Sequence, residues 1–239
     1  MAPAMVALAS VDLCIIMGCS HEDSERLPIA RMRRVRWWRR TGVRVHHAFQ
    51  PIVNVTTKEI FAHEALVRGG GQETAAQVFE KVNDTNRYRF DQSCRVKAVK
   101  FAAELAMPSF LSINFMPDAV YRPDLCIRTT LQAAQTYNFP EERMIFEITE
   151  GEKVEDHAHL REVVQYYEKC GFKTAIDDFG AGYAGLNLLA DLQTDIVKLD
   201  MALIRNIDRD RVRQAIVRGI LQVWGELSTR VIPGHRGGR

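Results

Sequence analysis

The chain has 239 residues, 46% hydrophobic and 26% charged, with 32 Lys+Arg against 30 Asp+Glu for a formal net charge of +2. This composition suits one large globular domain with a sizeable core, excludes a fibrous or wholly disordered chain, and favours neither nucleic acid nor an acidic partner. Five cysteines (Cys14, Cys19, Cys94, Cys126 and Cys170) form no Cys-x-x-Cys pair and are odd in number. That argues against a disulfide framework or a zinc cage, and it suits a reducing cytoplasm.

Residues 1–19 are fairly apolar, but they lack a basic n-region and Asp12 interrupts them, so neither a signal peptide nor a transmembrane segment is expected. Between Arg31 and Arg44 stand seven arginines, no lysine and the pair Trp37-Trp38. Arginine with tryptophan suits a membrane surface or a nucleic acid. No helical or strand period organises these charges, however, and residues 1–46 read as an irregular, disordered leader or a mis-started reading frame.

From His47 the pattern is regular. Residues 48–55 and 59–68 read as a strand hairpin, followed by helices over 74–82 and 89–106, the second ended by Pro108. A strand over 110–115 and a helix over 123–137 come next. Then follow a strand over 143–149, a helix over 156–170 closed by Gly171, and a strand over 172–177. A short helix around 184–192, a strand over 195–199, a helix over 209–227 and a strand beginning at Arg230 complete the pattern. Alternating strands and helices at this spacing predict parallel βα units, whose natural closure is a TIM-like barrel.

Several of these strands end in chemistry. Residues two apart on a strand share a face, so Glu64, Leu66 and Arg68 point together, as do Ser112 with Asn114, Glu147 with Thr149, Ala175 with Asp177, and Lys198 with Asp200. In a βα barrel the carboxyl ends of the strands carry the active site. Taken singly, each residue has a structural reading: an exposed strand position, a turn, a surface pair, or Asp178 as a helix cap. Taken together they form a buried cluster of hard oxygen donors that must be paired or metal-bound, and that suits Mg²⁺ or Mn²⁺ rather than zinc. The adjacent Asp177-Asp178, followed by the Gly180 and Gly182 loop, reads as the mouth of that site.

The segments Glu64-Ala-Leu-Val-Arg68, Ile113-Asn-Phe-Met-Pro117, Phe146-Glu-Ile-Thr-Glu150, Ile176-Asp-Asp-Phe-Gly-Ala-Gly-Tyr183 and Val197-Lys-Leu-Asp200 occur in this order. They resemble the ordered motifs of the bacterial EAL-domain cyclic-di-GMP phosphodiesterases, from about Phe49 to Ile232. The resemblance implies an α/β, TIM-like barrel with an antiparallel first strand. It also implies hydrolysis of one phosphodiester of cyclic di-GMP to the linear dinucleotide with two divalent ions. Glu64, Asn114, Glu147 and Asp177 are then metal ligands, with Asp177 shared between the ions and Asp178 serving the second. Lys198 orients or activates the attacking water and Asp200 supports it. Arg68 contacts a phosphate, Leu66 belongs to the substrate face, and Gln50 lies at the guanine end. Glu150 holds the loop 179–186, which the family uses to complete the metal site and to form homodimers.

The pattern departs at its end. After Ile232 the family has a metal-binding glutamate, a further strand and helices, whereas this sequence reads Pro233-Gly-His-Arg-Gly-Gly-Arg239, with Gly234 at the glutamate position. Residues 47–239 are thus expected to be an EAL domain without its last strand and helices, shorter than the ~250 residues typical of a complete barrel. Impaired turnover is expected. The alternative is a module that binds cyclic di-GMP or dimerises without catalysis.

Overall fold

The computed structural model describes residues 14–16, 45–54, 57–70, 73–149, 157–182 and 185–233. Among these residues, eight strands follow one another in a single sheet in chain order. Strand β1 (Cys14–Ile16) pairs antiparallel with β2 (Val45–Asn54), and β2 pairs antiparallel with β3 (Ile60–Gly69). From β3 onward every ladder is parallel, through β4 (Phe110–Asn114), β5 (Met144–Thr149), β6 (Lys173–Phe179), β7 (Ile196–Leu199) and β8 (Arg230–Pro233). This is an incomplete TIM-like barrel that opens with antiparallel strands, as expected. Strand β1 lies beside β8, with no hydrogen-bonded ladder between them among the described residues.

The helices fill the crossovers: α1 (Ala75–Phe79), α2 (Arg87–Glu104), α3 (Pro123–Cys126), α4 (Arg128–Tyr137), α5 (His157–Lys169), α6 (Gly185–Asp191), α7 (Met201–Ile204) and α8 (Arg211–Glu226). Local chemistry sets their ends. Thr74 and Gln77 form a reciprocal capping box at α1, and the Asp210 carboxylate accepts the amides of Val212 and Arg213 at α8. Gly171, at φ +86°, closes α5 in the left-handed conformation that glycine adopts without a Cβ clash. The expected helix over 123–137 is two helices, because Ile127 ends α3 and starts α4. The expected irregular leader contains β1 and the first two residues of β2, Val45 and His46.

The interior is layered by the two-residue period of the strands. Ile52, Ala62, Ile145, Ala175, Ile196 and Ile232 form a buried apolar cluster with Phe110 packed against it. Two residues further along the parallel strands come Glu64, Ser112, Glu147, Asp177 and Lys198, so an apolar floor underlies a polar layer. Outside the sheet, the rings of Phe115, Phe146, Tyr167 and Phe172 meet between strands and helices, with Phe146 centroids 4.8 Å from Tyr167 and 5.1 Å from Phe172. Phe146 is fully buried. Phe146→Ala should therefore cost about 3–5 kcal/mol in urea unfolding. A loss below about 1 kcal/mol would mean that this ring cluster does not hold the sheet to α5.

Candidate functional site

The polar layer converges on one ammonium. Lys198 Nζ lies 2.9 Å from Glu64 Oε2, 3.0 Å from Glu147 Oε2 and 3.1 Å from Asp177 Oδ1, which joins β7 to β3, β5 and β6. Lys198 is 2% exposed, Glu147 1% and Glu64 7%. The oxygens of Glu64, Glu147 and Asp177 come within 4.8 Å of one another. Their outer lone pairs are also engaged. Asn114 Nδ2 donates to Glu64 Oε1 at 3.1 Å, and Ser112 Oγ donates to Glu147 Oε1 at 2.5 Å.

Three carboxylates around one ammonium leave a formal excess of negative charge in a buried place. Burial, aided by Glu64 and Asp177, pushes the Glu147 carboxyl up to about 8 against the pull of Lys198. Burial alone would lower Lys198, but Asp177, Glu147 and Glu64 outweigh it and keep the ammonium charged well above its ordinary range. Asp178 is pushed up to about 6 by burial and by Asp177 and Asp200. A buried, proton-retaining set of hard oxygens is one that a divalent cation can satisfy, so the donors fit Mg²⁺ or Mn²⁺.

The paired aspartates owe their placement to a local irregularity. The β6–β7 register shifts between Ile176 and Phe179, and Asp178 sits at φ +54°, a left-handed conformation that aspartate tolerates better than most residues. Its amide donates to Asp177 Oδ1 at 2.9 Å. Strict alternation would turn the second carboxylate away, whereas the bulge leaves Asp178 on the cavity at the barrel mouth. Gly180, at φ +93°, follows directly, and a Cβ there would collide with the Leu203 side chain.

That cavity has a volume of about 560 Å³; its lining includes Leu66, Asn114, Met116, Thr149 and Asp178 at the strand ends and Phe79, Phe90 and Cys94 toward α1 and α2, while Glu64, Glu147, Asp177 and Lys198 lie beside it and not on its lining. Gln50 lies directly across the ladder from Glu64, and so on the same sheet face. Arg68 is on β3, where its Nη1 donates to the Val67 carbonyl at 2.8 Å. Asp200 does not pair with Lys198. Its Oδ1 accepts the Ala202 amide at 2.6 Å as the N-cap of α7, because the three carboxylates already saturate the ammonium. Glu150 and Gly234 lie outside the described residues, as does Tyr183 in the expected dimer loop.

Among the described residues, sequence reasoning placed Ser112 on the face of Asn114 but not its bond to Glu147, and it missed one polar group at the site. Asp91, buried on α2, also lines the cavity, and nothing in the helical period separates it from a surface acid.

The comparison with known proteins decides the family. The sequence pattern of the EAL domain matches residues 37–233. The chain belongs to the EAL domain family. Among solved structures it is similar to the cyclic-di-GMP-bound form of a standalone versatile EAL protein from Vibrio cholerae O395. They share 56% identity with a TM-score of 0.77, over 82% of this chain and 83% of that one. It is also similar to Klebsiella pneumoniae BlrP1 in complexes of cyclic di-GMP with calcium or manganese. Identity there is 31% and 30%, the TM-score is 0.75 for both, and the match covers 82% of this chain and 50% of that one. The blue light- and temperature-regulated antirepressor BluF of Escherichia coli K12 is 30% identical over 187 residues, 78% of this chain and 46% of BluF. The cyclic di-GMP phosphodiesterase PdeR of the same organism is 36% identical over 110 residues, 46% of this chain and 17% of PdeR. The EAL chain thus spans less than half the length of these two relatives. None of its described helices is long and apolar enough to cross a membrane.

The electrostatics predict how stability changes with pH. An unfolded glutamate releases its proton near 4.5, whereas Glu147 in the folded EAL chain keeps its proton up to about 8. The folded state therefore binds more protons over this window, and stability falls as pH rises. His47, buried neutral with its pKa lowered to about 3, acts in the opposite sense, but only below its ordinary 6.5. In chelator, unfolding free energy should fall between pH 6.5 and 8 by up to about 1.4 kcal/mol per unit, and Glu147→Gln should flatten the slope. A flat wild-type profile would contradict this electrostatic account.

Proposed function

We propose that this EAL chain hydrolyses one phosphodiester of cyclic di-GMP to linear pGpG, with Mg²⁺ or Mn²⁺ as cofactor. The observation that carries this reading is the convergence of Glu64, Glu147 and Asp177 oxygens within 4.8 Å beside an open cavity at the carboxyl ends of the strands. Bound cyclic di-GMP in the Vibrio and Klebsiella relatives supports the substrate.

Glu64, Asn114, Glu147 and Asp177 would hold one ion, with Asp177 and Asp178 serving the second. The chemistry that such ions supply is charge neutralisation at the phosphate and a lowered pKa for the attacking water. Lys198, already hydrogen-bonded to the ligand carboxylates, orients that water. Leu66 presents an apolar surface to the nucleotide, Gln50 reaches its guanine end, and Arg68 turns from the Val67 carbonyl to a substrate phosphate. Asp200 acts by fixing the start of α7 directly after the Lys198 strand. Glu150 braces the loop 179–186, through which two copies pair, and the chain works in the cytoplasm.

Gly234 stands where the family pattern has a glutamate, and an enzyme without that carboxylate turns over slowly. The same feature, together with the likeness to the antirepressor BluF, favours a second reading as a cyclic-di-GMP-binding module without turnover. Chromatographic assay of pGpG with Mn²⁺ separates the two. The enzyme reading expects slow but metal-dependent product formation, lowered about 10- to 100-fold in Lys198→Ala. Binding of cyclic di-GMP with no product at all would select the module, and unchanged activity in Lys198→Ala would remove that lysine from the mechanism.

A further inference from the structure

At the cavity wall lies a buried ion pair that the proposed chemistry does not use. Asp91 and Arg95, one turn apart on α2, are 3% and 0% exposed. Arg95 Nη2 pairs with Asp91 Oδ2, and Arg95 Nη1 donates to the Tyr167 hydroxyl on α5 at 3.1 Å. The other Asp91 oxygen, Oδ1, accepts the Met116 amide at 3.1 Å.

This last bond falls where β4 leaves the sheet. The Phe115 amide still donates to the Glu147 carbonyl, at 3.2 Å, whereas the Met116 amide is taken by Asp91 instead of a strand. The Met116 carbonyl accepts the Ala119 amide at 2.9 Å, and Pro117 restricts Met116 to its extended conformation. Met116 is thus held from both sides, two residues after Asn114. Asp91, Asn114 and Met116 all line the 560 Å³ cavity, together with Leu66 and Asp178.

An ion pair this deeply buried is a poor source of stability, since well-packed apolar residues of similar volume often serve as well or better. It does supply an acceptor aimed at one backbone amide, locked in direction by a second helix. We propose that Asp91 is a positioning residue for nucleotide binding: braced by Arg95 and Tyr167, it fixes the Met116 amide and thereby the cavity wall that follows Asn114. This rests on reading the cavity as the cyclic-di-GMP site.

The test compares two double variants of the full chain, Asp91→Asn/Arg95→Met and Asp91→Leu/Arg95→Met. Both lack the ion pair, and only the first keeps an oxygen for the Met116 amide. Calorimetry with cyclic di-GMP in calcium should place the asparagine variant within about threefold of wild type and the leucine variant at least about tenfold weaker. Mn²⁺ titration without nucleotide should be alike in all three proteins, so that the loss is assigned to the wall and not to the carboxylates. Hydrogen exchange at the wild-type Met116 amide should be slow, and it reads the bond without any variant.

Equal nucleotide binding by the two double variants, or exchange at Met116 as fast as at exposed amides, would overturn the positioning role while leaving the cavity assignment intact. No binding of cyclic di-GMP by the wild type would overturn the cavity assignment and the positioning role with it.

Discussion

A lysine ammonium held by three carboxylates at the carboxyl end of the barrel is the constraint on which the rest of this structure depends. None of these charges is stable alone in the interior, and removing one partner of a buried ionic set leaves an uncompensated charge. Lys198, Glu64, Glu147 and Asp177 come from four different strands, so the set exists only when those strands are in register. A slip of one residue would turn a whole strand's side chains to the opposite face. The apolar floor formed by Ala62, Ile145, Ala175 and Ile196, each two residues earlier, keeps water from reaching the charges from below.

The same economy of charge explains why the site is open to a cation. The ammonium offsets part of the negative charge and Glu147 offsets more by retaining a proton. A divalent ion would replace that proton with stronger and more directional compensation. The bulge in β6 and the left-handed Asp178 place a second carboxylate on the cavity, a local backbone cost tolerated because neighbouring ladders over-determine the strand. Ser112 and Asn114 then orient the glutamates, as partners around metal-binding carboxylates commonly do.

Much of this was legible in the sequence because strand periodicity carries both fold and site. The alternation that buries Ala62 and Ile145 also dictates that Glu64 and Glu147 face the same way, so the converging carboxylates and Lys198 could be placed without coordinates. What resisted reading depends on contacts distant in sequence. The split at Ile127 leaves no proline or glycine signal, and the short strand Cys14–Ile16 pairs with residues nearly forty positions away. Asp200 was expected beside Lys198 because they share a strand face, yet its local capping bond to Ala202 competes successfully with a lysine already surrounded by three acids. Asp91 was invisible for the opposite reason: an acid four residues before an arginine on a helix reads as a surface pair, and only tertiary packing buries it.

The central claim is that the carboxylate cluster is a divalent-metal site, and calorimetric titration of the purified chain with Mn²⁺ tests it most directly. Wild type should bind Mn²⁺, and Asp177→Ala, verified as folded by its thermal melt, should bind at least about tenfold more weakly. Identical binding by wild type and Asp177→Ala would contradict the account, because the oxygen that bridges Lys198 and the barrel mouth would then have no part in holding the ion.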